Sequence, residues 1–221
     1  MKNKYLSIIL LGLIIFGLGS ITLPPPEVKG MTLWDLGRRM VESGVIDREK
    51  FLALYNRNPK LRKEAEQLLD GDNKEPFEIT SENSGLMLNY LWALGLGNKN
   101  PILEMEMMDP RYGGAQNFAS TGGWTLAKGS AMEHYGMHQF ITLTGEKQAL
   151  VDKVSRTIFR PCCKNSAHFP DCNHGMAMLG YLELLASSGA DEKAMTEKAH
   201  LLNSYWFPDV YKNPQSCSAT G

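Results

Sequence analysis

The stretch Asn173-His-Gly-Met-Ala-Met-Leu-Gly-Tyr-Leu-Glu-Leu-Leu-Ala-Ser-Ser-Gly189 is the most uniformly apolar helix candidate beyond the N-terminal run of the chain. It holds no proline, its apolar residues fall on every side of a 3.6-residue period, and Gly189 supplies a left-handed stop. A helix apolar all round is stable only when other elements enclose it, so this stretch predicts a domain with a helix at its centre. Gly175, Ala177 and Gly180 keep one strip of it small. That strip predicts close approach of another helix, expected to be the one carrying His134 and His138.

Directly upstream runs Arg160-Pro-Cys-Cys-Lys-Asn-Ser-Ala-His-Phe-Pro-Asp-Cys172. With His174, it gathers three of the four cysteines and two of the five histidines. Pro170 followed by Asp171 reads as a helix N-cap, which sets Cys172 and His174 in a first turn, where the macrodipole is positive. Such a setting favours thiolate and disfavours imidazolium, the deprotonated forms that bind metals.

Working outward, every other strong pattern is helical. Thr32 to Gly44 carries Leu33, Leu36, Met40 and Val41 at helical spacing behind a threonine cap. Asp47 caps a helix through Phe51, Leu54 and Tyr55, and Pro59 opens another with Leu61, Ala65, Leu68 and Leu69 on one side, ending before Gly71. Leu86 to Leu96 is apolar nearly all round and too short to span a bilayer, which marks a buried helix. Ser130 to about Thr142 reads as a helix that stacks His134 and His138 one turn apart. Glu146 to Phe159 and Asp191 to Trp206 complete the set. No alternating strand pattern of useful length occurs. The fold class predicted is all-α, a single compact helical domain of about seven or eight helices with a long Gly/Pro-rich loop over 98–129, which reads as a lid or site wall, or as surface chain.

Lys2 and Lys4 precede an uncharged run from Tyr5 to Leu23 that is long enough to cross the hydrocarbon layer. Two fates fit: an uncleaved signal anchor, with the domain outside the cytoplasm on a single-pass membrane protein, or a cleaved signal peptide, with a secreted or periplasmic product. Pro24-Pro-Pro26 is a stiff spacer. The predicted organisation is 1–26 for signal and spacer, 27–72 for a small helical subdomain, and 73–221 for the main domain, with a polar linker over 70–84. The formal net charge is −1 with interspersed signs, which leaves no one-signed surface for nucleic acid.

Three chemistries suit the cysteine-histidine stretch. In the first, Cys162, Cys163, Cys172 and His174 hold one transition metal ion (Zn, Cu or Fe), completed or partly replaced by His134 and His138. The spacing Cys-Cys-x8-Cys-x-His is not that of a zinc finger, and His134-x3-His138 lacks the glutamate of a zincin helix, since Tyr135 stands there. In the second, the four cysteines form two disulfides. Neighbouring Cys162 and Cys163 are too close to bond each other, so one would bridge Cys172 and the other Cys217. In the third, Cys172 is a catalytic thiolate. His168 and His200 are weaker candidates. Asn165, Asp171 and Asn173 are placed to orient ligands or to serve as turn residues.

Overall fold

The computed structural model describes residues 33–71, 78–161 and 165–212. The N-terminal apolar run, its spacer, Thr32, the middle of the polar linker, and Cys162, Cys163 and Cys217 lie outside the described residues. Among the described residues there are nine α-helices, five short 3-10 turns and no strand, so the chain is all-α as the patterns predict. No described helix is long and apolar enough to cross a membrane.

The first three helices follow their caps. Helix α1 (Leu33–Ser43) ends at Gly44 in the left-handed region, φ +85°. Asp47 accepts from the amides of Glu49 and Lys50 to start α2 (Arg48–Ala53). Asn58 caps α3 (Pro59–Asp70), with proline at its first position and Gly71 left-handed at its end. Helix α2 is shorter than its apolar spacing predicts. Asn58 and Pro59 open α3 a few residues later, and Leu54 is left exposed while Phe51, Leu52 and Tyr55 are buried.

Helices α4 (Ser84–Gly97) and α7 (Asn173–Ser187) form the most extensive helix pair. They cross at glycines: a Cβ on Gly95 would overlap the carbonyl oxygen of Met176, and a Cβ on Gly180 would stand 2.5 Å from the carbonyl oxygen of Leu91. The small strip on α7 therefore receives α4 rather than a histidine-bearing helix. Leucines and methionines of both helices are fully buried beside the crossing, including Leu91, Leu94, Met176 and Leu179. Helix α6 (Gly145–Thr157), capped by Thr144, and α8 (Glu192–Trp206), capped by Asp191, close further sides of the pair. A short α9 (Pro208–Lys212) follows. Buried apolar residues of α1 to α4 and of α6 to α8 belong to one continuous cluster.

Between α4 and α6 the chain is built from turns. Four 3-10 turns, the short helix α5 (Ala119–Gly122) and a fifth turn at Ala131–Glu133 fold it over the core, anchored by buried Ile102, Leu103, Met107, Trp124 and Ala127. The helix expected from Ser130 to Thr142 stops after Ala131–Glu133. Gly136 turns left-handed at φ +65°, and the next amides leave the helical ladder for the end of α4: Gly136 donates to the carbonyl of Leu96 and His138 to that of Gly97. The last carbonyls of α4 have no partner inside their own helix, so this pairing satisfies them in place of a C-cap.

Candidate thiol and imidazole sites

The start of α7 differs from its predicted form in one respect that matters chemically. Asp171 is not the cap. Cys172 holds the N-cap position with its carbonyl accepting from Met176, and its side chain makes no capping bond. The Asp171 carboxylate turns away to the guanidinium of Arg160 and to the amide of Asn165. Arg160 is only 2% exposed. A guanidinium so buried needs every donor met. Nε and Nη2 donate to the carbonyl of Asn165, and Nη1 donates both to Asp171 and to the sulfur of Cys172 at 2.6 Å. Cys172 is a free, partly exposed thiol. Burial opposes the Arg160 charge, and Cys172 and Asp171 more than offset that, leaving the guanidinium above its ordinary value.

His174 sits in the first turn of α7, packed on the rings of Trp206 and Phe207 at 5.5 and 4.6 Å between centroids. Its Nδ1 lies 2.9 Å from Oδ1 of Asn173, which also accepts from the His174 amide. An amide oxygen only accepts, so Nδ1 carries the hydrogen and Nε2 the lone pair. No described residue bonds Nε2. Burial, with the Arg160 charge second, lowers His174 to about 4, so the ring is neutral at physiological pH. The sequence predicted a neutral imidazole on dipole grounds; the aromatic packing and Arg160 are the larger reasons.

His134 and His138 do come together, but not as helix neighbours. His134 Nδ1 and His138 Nε2 are 3.0 Å apart, while His134 Nε2 donates to the carbonyl of Lys128 at 2.8 Å. His138 is lowered by burial and then by His134. It lines an open surface groove of about 550 Å³ with Arg39, Glu42, Lys99, Met137, Gln139 and Phe140. Of the six residues proposed as ligands, His134 and His138 are brought together. Cys172 and His174, both at the start of α7, have separate partners, Arg160 for the thiol and Asn173, Trp206 and Phe207 for the ring. Among the described residues no group of three or more His, Cys, Asp or Glu side chains is placed to hold one metal ion. Cys162 and Cys163 lie outside the described residues.

The remaining histidines are ordinary. His168 is buried, with Nε2 2.7 Å from the Asp152 carboxylate, and His200 is exposed on α8.

Two site residues are invisible to motif reading. Arg160 stands just before the cysteine pair and reads as a loop charge, yet it holds Cys172. Glu183, the only charged residue within α7, is fully buried and accepts from the side-chain amides of Asn98 at 3.1 Å and of Asn100. Burial raises its carboxyl to about 8, against the two amides, which favour the ionised form. A lone charge inside an otherwise apolar helix was the available signal.

Comparison with protein-family models, with curated proteins and with solved structures found no match.

Proposed function

We propose that the chain is an exported helical protein that carries out thiol–disulfide exchange through Cys172. The observation that supports this most is the buried Arg160 guanidinium donating to a free and partly exposed sulfur. Reactive cysteines sit in electropositive, accessible surroundings. Here Arg160 donates to the sulfur, and Cys172 stands at the N-cap of the 15-residue α7, the positive end of its dipole. In the reaction, the Cys172 thiolate attacks one sulfur of a partner disulfide, a mixed disulfide forms, and the other partner sulfur leaves as thiolate. A second thiolate, from Cys162 or Cys163, then displaces the partner and leaves an internal disulfide. Arg160 and Asn165, which flank those two cysteines in sequence, are tied to each other and to Asp171 beside Cys172.

The test uses the reduced full chain with oxidised glutathione, followed by peptide mass mapping. The expected result is a glutathione adduct first on Cys172, slowed by Arg160→Gln and less by Arg160→Lys. Equal labelling of all four cysteines, or indifference of Cys172 to both Arg160 variants, overturns the reading.

A second reading keeps Cys172 and His174, with Cys162 and Cys163, as ligands of a transition metal ion. It is favoured by His174 alone, a neutral imidazole oriented by Asn173, with Nε2 bonded by no described residue. Against it, the Arg160 cation occupies the same sulfur a metal would need. Elemental analysis of protein purified without added metal separates the two: stoichiometric metal lost in His174→Ala supports ligation, and none in the parent excludes it.

A further inference from the structure

The histidine pair has a geometry that neither thiol chemistry nor packing uses. Two nitrogens bound side by side to one ion at roughly 2.0–2.1 Å lie about 2.9–3.4 Å apart for bond angles between a right angle and tetrahedral. His134 Nδ1 and His138 Nε2 are already 3.0 Å apart. The hydrogen bond from His134 Nε2 to the Lys128 carbonyl fixes the tautomer that leaves Nδ1 as the acceptor, as an orienting partner does in metal sites. The backbone at His138 is held on both sides: its amide donates to Gly97 and its carbonyl accepts from Lys99. The backbone of the pair is thus set by the end of α4, and to bind an ion the two rings turn about their side-chain bonds until both nitrogens face a third atom.

We propose that His134 and His138 form a bidentate imidazole site for a borderline divalent transition ion such as Cu(II), Zn(II) or Ni(II), on the wall of the groove and separate from Cys172. Water from the groove fills the remaining positions. In the ion-free protein the space between the rings holds one hydrogen, donated by His138 Nε2 to His134 Nδ1. On binding, His138 moves that hydrogen to its own Nδ1, which no described residue hydrogen-bonds, and the two freed lone pairs go to the ion without net loss of a proton from the neutral pair. Burial and His134 both act to keep His138 neutral.

The charges of the groove shape the selectivity. Arg39 and Lys99 line it with Glu42. The Arg39 guanidinium is engaged by the carbonyls of Gln139 and Phe140 and stacks on the Phe140 ring, and Glu42 pairs with Arg38, while Lys99 has no described ion partner. A net positive lining opposes every cation, so only ions that gain strongly from nitrogen ligands overcome it, and ions that depend on carboxylate oxygen do not. This inference does not rest on the thiol reading.

The experiment uses the full chain with its cysteines alkylated, so that no thiol contributes, titrated with Cu(II) and followed by electron spin-echo spectroscopy. One equivalent should bind with coupling to two imidazole nitrogens. His134→Ala and His138→Ala should each weaken binding by about tenfold or more and reduce the coupling to one nitrogen, while His174→Ala leaves both unchanged. Lys99→Ala, which removes a cation from the groove lining, should tighten binding severalfold. The proposal is overturned if the parent shows no two-nitrogen signal, if either histidine variant binds like the parent, or if His174→Ala abolishes the signal. Should the histidine variants not fold, the parent spectrum and the Lys99→Ala shift decide it.

Discussion

Gly95 and Gly180 bring the backbones of α4 and α7 into direct contact: a Cβ on Gly180 would stand 2.7 Å from the nitrogen of Gly95, and one on Gly95 would stand 3.0 Å from the nitrogen of Gly180. Nothing flexible is available to give way at this crossing. The separation of the two helices is fixed where they meet, and leucine and methionine fill most of the buried space beside the crossing.

The first prediction follows from that contact. Gly95→Ala or Gly180→Ala should destabilise the fold by about 1–3 kcal/mol or more, since added carbon in a packed interface forces backbone shifts. Gly189→Ala meets nothing within 4 Å and carries only the strain of φ +87°, so its cost should stay near about 1 kcal/mol. Urea unfolding of the three variants tests the ranking; equal losses would show that the crossing is softer than its geometry.

Glu183 gives a pH dependence of definite sign. Its carboxyl titrates at about 8 in the folded protein, above its value of about 4.5 in the unfolded chain, so the folded state holds the extra proton. The stability this group contributes is fully present below about pH 4.5 and is lost as pH rises through about 8, with a slope of at most about 1.4 kcal/mol per unit. Between pH 6.5 and 8 the parent should therefore weaken, and Glu183→Gln should abolish that slope. Glu183→Ala should lower stability by about 1–3 kcal/mol at pH 6, because the amides of Asn98 and Asn100 lose their acceptor. A parent curve flat over that range would contradict the buried acid.

His174 acts in the opposite sense. Its folded value of about 4 lies below the ordinary 6.5, so its contribution is present above pH 6.5 and is lost as pH falls towards 4. Proton NMR should find the His174 ring neutral from pH 8 to 5, with the hydrogen on Nδ1. Phe207→Ala, which strips one packed ring, should raise the midpoint by opening the imidazole to water. A ring that titrates near 6.5 in the parent would refute the packing account.

The hydroxyls of Ser120 and Thr121 are buried without a partner among the described residues. An unmet buried hydroxyl is costly, and a small apolar replacement is tolerated. Thr121→Val and Ser120→Ala should therefore be neutral or stabilising by up to about 1 kcal/mol in thermal unfolding. Losses beyond about 1 kcal/mol would mean that ordered water or another partner satisfies them.

What the sequence disclosed and what it withheld divide along physical lines. Caps at Asp47, Pro59, Gly71, Gly189 and Asp191 are local signals, and local bonds obey them. The helix read into Ser130 to Thr142 failed because its amides had better acceptors elsewhere, at the end of α4, and no window of neighbours reports that. Asp171 fits the N-cap rule, and the rule lost to a buried guanidinium that needed an anion. The small strip of α7 correctly announced a close helix but could not say which. Glu183 was marked only as a lone charge in an apolar helix, and its partners Asn98 and Asn100 lie far off in sequence. Arg160 reads as a loop charge because nothing local reports that it is buried.

The pairing of Gly136 and His138 with Leu96 and Gly97 bears on how the molecule breathes. Amide hydrogens of irregular segments normally exchange with solvent through small local openings. These two are locked to the carbonyl end of the central helix, and the Lys99 amide is locked to His138 in turn. Freeing them requires fraying α4 where its side chains are buried, so this turn-rich segment should exchange on the timescale of the core and unfold with it.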